Sequence, residues 1–156
     1  MGILDEAMRE ELVFLDVEAK DKQEAIRVLG SILEQKGYVK PSYISAVLQR
    51  EEVYPTGLLL ESINIAIPHT DSEHVEKSAI LLARLAHPVV FQYMGDPKES
   101  VSVDFIAMLA IKDPAGQVPV LMELMEKVGT KGRLERMKEA KTPQEMLEAL
   151  RKEEKE

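Results

Sequence analysis

The chain has 156 residues, of which 45% are hydrophobic and 31% charged, the balance of a folded domain and not of a disordered segment. Lysine and arginine total 20 against 28 acidic residues, so the net charge is −8 and a broad basic surface for nucleic acid is excluded. With no cysteine, disulfides, thiolate metal sites and a cysteine nucleophile are excluded within this chain.

The opening MGILDEAMREEL lacks the basic-then-apolar order of a signal peptide. Val13–Val17 is apolar and partly alternating, which predicts a short strand. Asp21 with Glu24 three residues on is a helix-start pair. Ala25, Ile26, Leu29, Ile32 and Leu33 follow at helical spacing, and Gly37 supplies the stop. Pro41 opens a second helix with Tyr43, Ile44, Val47 and Leu48 on its inner face, ending around Arg50–Glu52. Val53-Tyr54-Pro55-Thr56-Gly57 reads as a loop, and Leu58–Leu60 as a short apolar run belonging to the core or to a docking surface.

Ile63–Ile67 alternates like a strand and stops at Pro68-His69; the polar residues Thr70–Glu76 form a loop. Ala79–Leu85 predicts a buried strand or short buried helix, broken by His87-Pro88 and resumed at Val89–Phe91. A turn is expected at Gly95-Asp96-Pro97, then a central strand over Val101–Ile111 that Lys112-Asp113-Pro114-Ala115-Gly116 ends. Val118, Leu121, Met122, Leu124, Met125 and Val128 mark a helix whose methionines read as core. Leu134–Met137 is a short helix, and Thr142-Pro143 opens the last one, with Met146, Leu147 and Leu150 inside. Strands interleaved with helices predict an α/β or α+β fold, a sheet covered by helices. No linker or repeat appears, so residues 1–150 read as one domain followed by a charged tail over 151–156. No apolar run approaches the roughly 20 residues of a membrane span, and a cytoplasmic protein is expected.

The common nucleotide, zincin and hydrolase signatures are absent. His69 stands at the junction of an apolar strand and a polar loop, where Pro68 keeps Ile67 extended. Such a histidine serves as base, ligand or nucleophile, or simply caps a strand. Its ordinary pKa of about 6.5 leaves the neutral form, with a free nitrogen lone pair, abundant at pH 7. His69, Asp71, Glu73 and His74 are a conceivable zinc set, but solvated loop residues are the simpler reading and no metal is expected. Arg50 is either a cation at a helix C-terminus or an anion clamp, to which the Thr56 and Thr70 hydroxyls could add donors. Asp104, inside an apolar strand, needs an edge position or a cation.

Two segments in order, Arg50-Glu51-Glu52-Val53-Tyr54-Pro55-Thr56-Gly57 and Ile65-Ala66-Ile67-Pro68-His69, resemble the EIIA domains of the fructose–mannitol class, phosphocarriers of the bacterial sugar phosphotransferase system. Pro68-His69-Thr70-Asp71 and Glu73-His74-Val75 look most like the galactitol-type branch, and Lys112-Asp113-Pro114 fits as well. The resemblance implies a central mixed β-sheet with helices on both faces. It also implies that His69 takes a phosphoryl group on Nε2 from phospho-HPr and passes it to a cysteine of an EIIB domain, and so indirectly to the membrane permease EIIC. Arg50 matches the family's arginine, expected to neutralise phosphoryl oxygens, while Thr56 and Thr70 are expected to shape the phosphoryl pocket. Where many relatives carry a second histidine at the start of the late helix, this chain has Gln117, which can donate a hydrogen bond but cannot become cationic. No cofactor is implied, since in-line phosphoryl transfer between histidines needs positioning and donors. Three other readings stand beside this one: a regulatory relative switched by phosphorylation of His69, a metal hydrolase using His69, Asp71 and His74, and a structural module.

Overall fold

The computed structural model describes residues 7–60 and 63–151. The N-terminal residues 1–6 and all but Arg151 of the expected charged tail lie outside the described residues.

Five strands and five helices follow one another along the described chain: β1 (Met8–Val17), α1 (Lys22–Gln35), α2 (Tyr43–Val53), β2 (Gly57–Leu58), β3 (Ile65–Ala66), β4 (Ala79–Tyr93), β5 (Asp96–Ala110), α3 (Gln117–Val128), α4 (Arg133–Glu139) and α5 (Pro143–Arg151). Single 3-10 turns lie at Ser72–His74 and Pro114–Gly116. The sheet is mixed. β4 and β5 form a long antiparallel hairpin, β1 runs parallel to β4, and β3 runs parallel to β5. The short β2 pairs antiparallel with β3 and returns to β4 at Gly57 opposite Tyr93.

Side-chain alternation divides the interior into two cores, one on each sheet face. Ile65, Ile67, Phe105, Ala107 and Leu109 pack with Val120 and Leu124 of α3, Met137 of α4 and Leu150 of α5. Ala66, Ile106, Met108 and Ala110 face the other way, onto Ile26, Leu29 and Leu33 of α1 and Tyr43 and Val47 of α2. Helices thus cover both faces, as expected.

Local signals explain the edges of α1. Asp21 Oδ1 accepts the Glu24 N–H at 2.8 Å, and Glu24 Oε1 accepts the Lys20 N–H at 2.7 Å. At the other end Gly37 has φ +85°, the Gly37 N–H bonds to the Glu34 carbonyl and the Tyr38 N–H to the Leu33 carbonyl. That is a Schellman stop, and glycine takes its left-handed backbone without strain.

Other expectations change. His87-Pro88 does not break a strand: β4 runs through it to Tyr93, and the ladder to β5 shifts register between Arg84 and Val89. The exposed Pro88 falls inside that irregularity, where no ladder donor is required. The hairpin turn is tighter than expected, because Asp96 already pairs with Tyr93. β1 is longer than predicted, and of Ile63–Ile67 only Ile65–Ala66 is strand. Met122 is not core: it lies 64% exposed beside Val118 at 63%, while Met125 is half-buried. Leu58 is core and Leu59 exposed. Asp104 finds its cation in Lys138, 3.8 Å away.

Candidate functional site

His69 emerges just beyond β3, where hydrogen bonds clamp the two residues that precede it. Upstream, the Ile67 N–H donates to Thr56 Oγ1 at 3.1 Å and lies 3.3 Å from the Thr56 carbonyl. At the adjoining peptide, the Pro68 carbonyl accepts the Leu109 N–H at 3.0 Å. The Leu109 carbonyl in turn accepts the hydroxyl of the fully buried Tyr43, the first residue of α2. Leu109 therefore anchors both the His69 backbone and the helix that carries Arg50. A second tie joins the two segments: Val39 bridges Val75, and the Lys40 N–H donates to the His74 carbonyl.

The half-buried imidazole of His69 has Nδ1 2.9 Å from the Ile67 carbonyl oxygen. A carbonyl only accepts, so Nδ1 carries the proton and the lone pair is on Nε2. Burial is the main cause that lowers the pKa of His69 below its ordinary value, and the Arg50 charge acts in the same direction; the Ile67 bond and Asp71 oppose them. The imidazole is accordingly neutral at pH 7.

Beside the segment that follows His69 lies an open cleft of about 310 Å³ walled by Arg50, Tyr54, Thr70, Asp71 and His74; His69 adjoins it through Thr70 and Asp71 and is not itself among the lining residues. Arg50 projects from the last turn of α2, its guanidinium 5.1 Å from the Tyr54 ring centre and Nη1 3.7 Å from Asp71 Oδ1. Its Nε–H is buried and, among the described residues, has no hydrogen-bond partner. A buried cationic donor left unbonded is costly unless an anion comes to it. Thr70 is buried on the cleft wall, and its carbonyl accepts from Gln117 Nε2 at 2.7 Å. Gln117, the first residue of α3, thus steadies the Thr70 loop and keeps its other amide hydrogen.

Thr56 corrects an expectation. Its hydroxyl does not face the cleft as a donor for an anion: Thr56 is buried, and Oγ1 donates to the Glu51 carboxylate, 3.0 and 3.1 Å from its two oxygens. Thr56 supports the site from behind. Glu51 itself was not expected as a site residue. It is 2% exposed and also accepts the Thr56 N–H at 2.8 Å. Burial raises its carboxyl pKa, against the pull of the two Thr56 donors and Lys22. One sequence signal was available: Glu51 stands four residues after Val47 and eight after Tyr43, on the apolar stripe of α2, where a carboxylate needs a specific partner.

The possible metal ligands diverge. His69 Nδ1 is engaged by Ile67, Asp71 faces Arg50, and His74 has Ser42 Oγ at 2.8 Å from Nδ1 and Glu73 at 3.4 Å from Nε2. Among the described residues no group of three or more histidine or acidic side chains converges to hold a metal ion. His87 is exposed on β4. No helix among the described residues is long and apolar enough to cross a membrane.

Comparison with known proteins bears on the family and the fold. The family described as "Phosphoenolpyruvate-dependent sugar phosphotransferase system, EIIA 2" matches residues 6–153. The galactitol-specific EIIA component of Escherichia coli K12 is 34% identical over 108 residues, 69% of this chain and 71% of that protein. Among solved structures, the complex of enzyme IIA-Mtl and phosphorylated enzyme IIB-Mtl from Escherichia coli contains a chain that superposes with a TM-score of 0.76 at 29% identity, covering 92% of this chain and 97% of that one. The mannitol IIA crystal structure from Escherichia coli gives a TM-score of 0.73 at 28% identity, covering 91% and 97%.

Proposed function

The chain belongs to the EIIA 2 family of the phosphoenolpyruvate-dependent sugar phosphotransferase system, and from that premise we propose that His69 is its phosphoryl carrier, loaded by phospho-HPr and discharged to a cysteine of an EIIB domain. The observation that carries this reading is the Nδ1 bond to the Ile67 carbonyl, which leaves the lone pair on Nε2. Nε2 attacks the phosphorus of phospho-HPr in line; the Nε2–P bond forms as the donor's N–P bond breaks. No proton has to leave Nε2, because it holds none. The Nδ1 proton stays, and its bond to Ile67 strengthens as the ring gains positive character. Arg50, with its unbonded Nε–H, receives the equatorial oxygens, and Thr70 and Gln117 border them. The EIIB thiolate then attacks the same phosphorus, and the bonding pair returns to Nε2.

The relatives support the assignment of partners and branch. The IIA–IIB complex is a structure of a similar chain with a phosphorylated EIIB, and the galactitol-specific component supports a polyol-type system here. The exposed Val53 and Tyr54 offer apolar area at the cleft for protein partners. The reading places the protein in the cytoplasm, feeding a membrane EIIC through EIIB.

Intact mass after incubation with phosphoenolpyruvate, Enzyme I and HPr tests the assignment. One acid-labile phosphoryl adduct is expected, absent from His69→Ala. An adduct that persists in that variant would move the carrier elsewhere; an adduct that no EIIB can remove would favour a regulatory role.

A further inference from the structure

Every hydrogen bond between the buried Glu51 and His69 has a forced direction. With Glu51 ionised, the state that the Thr56 N–H and Lys22 favour against burial, the carboxylate has no proton to give and the Thr56 hydroxyl points its single hydrogen at Glu51. That leaves Thr56 Oγ1 as an acceptor alone, and the Ile67 N–H fills it. Pro68 holds Ile67 in the extended region, so fixing the Ile67 N–H also fixes where its carbonyl points. The carbonyl points at His69 Nδ1, and the proton there sends the lone pair to Nε2. Within this path both Thr56 and Ile67 are at most a few per cent exposed, so water does not substitute for a missing member.

We propose that Glu51 and Thr56 are positioning residues for His69, a buried acceptor and a directed hydroxyl that together set which imidazole nitrogen is nucleophilic. Neither touches the phosphoryl group. The proposal deepens the phosphocarrier reading and rests on it for the consequence on rate, though not for the consequence on the imidazole itself. It also accounts for Glu51, since a carboxylate this deeply buried is costly and makes no ion pair within salt-bridge distance among the described residues.

Thr56→Val is nearly isosteric and removes the acceptor of the Ile67 N–H, which is then left with the longer bond to the Thr56 carbonyl. The expected result is a mixed tautomer at His69, read from the imidazole ¹⁵N shifts of the unphosphorylated protein. Phosphoryl acceptance from phospho-HPr slows roughly three- to tenfold, the worth of one neutral hydrogen bond. Thr56→Ser restores both readouts. Glu51→Gln, which preserves shape and lets an amide donate to Oγ1, moves both in the same direction as Thr56→Val and serves if that variant does not fold. Wild-type ¹⁵N shifts in both folded variants overturn the proposal, even if the rate falls, because a loss of rate alone is what a structural role gives. Should the wild-type protein take no phosphoryl group at all, the phosphocarrier reading fails, while the ¹⁵N comparison still decides the proposal.

Discussion

The two sides of His69 are built on opposite plans. Behind it, Glu51, Thr56, Ile67 and Pro68 are buried and joined by short, directed bonds that end on Leu109 of β5. In front, Asp71 and Tyr54 are mostly exposed, the Arg50–Asp71 pair is long at 3.7 Å, and Arg50 Nε has no partner among the described residues. On the proposed reading the rear sets the state of the His69 imidazole before any substrate arrives, which is preorganisation in the low-dielectric interior. The front keeps donors unspent, so they are available to phosphoryl oxygens whether the other group is a histidine donor or a cysteine acceptor.

Breaking the front at Arg50 gives the largest expected effect. Arg50→Leu keeps the packing on Tyr54 but removes every charged donor, and phosphoryl acceptance falls about 10²-fold, the usual cost of losing one preorganised donor. Stability changes by less than about 1 kcal/mol, because the pair with Asp71 is exposed and the lost Nε–H was unbonded. Transfer kinetics and thermal melts on the same sample check both halves. A variant that transfers normally would remove Arg50 from the mechanism.

Breaking the rear is expected to cost stability first. A Cβ on Gly57 would stand 2.6 Å from the Gln92 carbonyl oxygen, in the backbone of β4. Backbone cannot swing aside as a side chain can, so Gly57→Ala pushes β2 off β4 and costs about 1–3 kcal/mol. Thr56, the neighbouring residue, moves with it. Denaturant unfolding should show the loss, and the His69 ¹⁵N shifts should drift as in Thr56→Val. A fully stable Gly57→Ala protein would mean that β2 is not held rigidly and that the rear is softer than its bonds indicate.

What could be read from sequence follows the range of the interaction. The ends of α1 were legible because Asp21, Glu24 and Gly37 act within one turn of chain. A family resemblance that spans the chain pairs His69 with Arg50 as a proposed site, and Arg50 and Thr70 line one cleft. Thr56 was misplaced because a loop threonine does not reveal where its hydroxyl points; that depends on Glu51 one helical turn and a loop away, and on Ile67 across β2 and β3. The continuity of β4 through Pro88 was hidden for the same reason, since a register shift is a property of two strands. Helical spacing alone places Met122 with the core residues, but the apolar stripe of α3 is wider than the face that Val120, Leu124 and Val128 bury.

The smallest expected effect sharpens the contrast most, because it separates charge from positioning. Asp71 raises the pKa of His69 and Arg50 lowers it, on top of the larger lowering by burial. In the proposed reaction neutral His69 is the nucleophile, so phosphoryl acceptance is expected to decline as pH falls through the folded-state pKa, which lies below the ordinary value of about 6.5. Asp71→Asn removes the one nearby charge that favours the proton, so the acidic limb of the rate profile moves to lower pH. The shift is small, since Asp71 is well exposed and screened. The ¹⁵N tautomer signature at neutral pH stays that of the wild type, because the rear is untouched. Rate profiles between pH 5 and 8, with ¹⁵N spectra at pH 7.5, check both. A limb that moves to higher pH would show that Asp71 acts on His69 through Arg50 and not directly, by letting the freed guanidinium swing away and repel the imidazolium less. A changed tautomer would show that front and rear are one coupled unit, with the position of Asp71 felt through Thr70 and the His69 backbone.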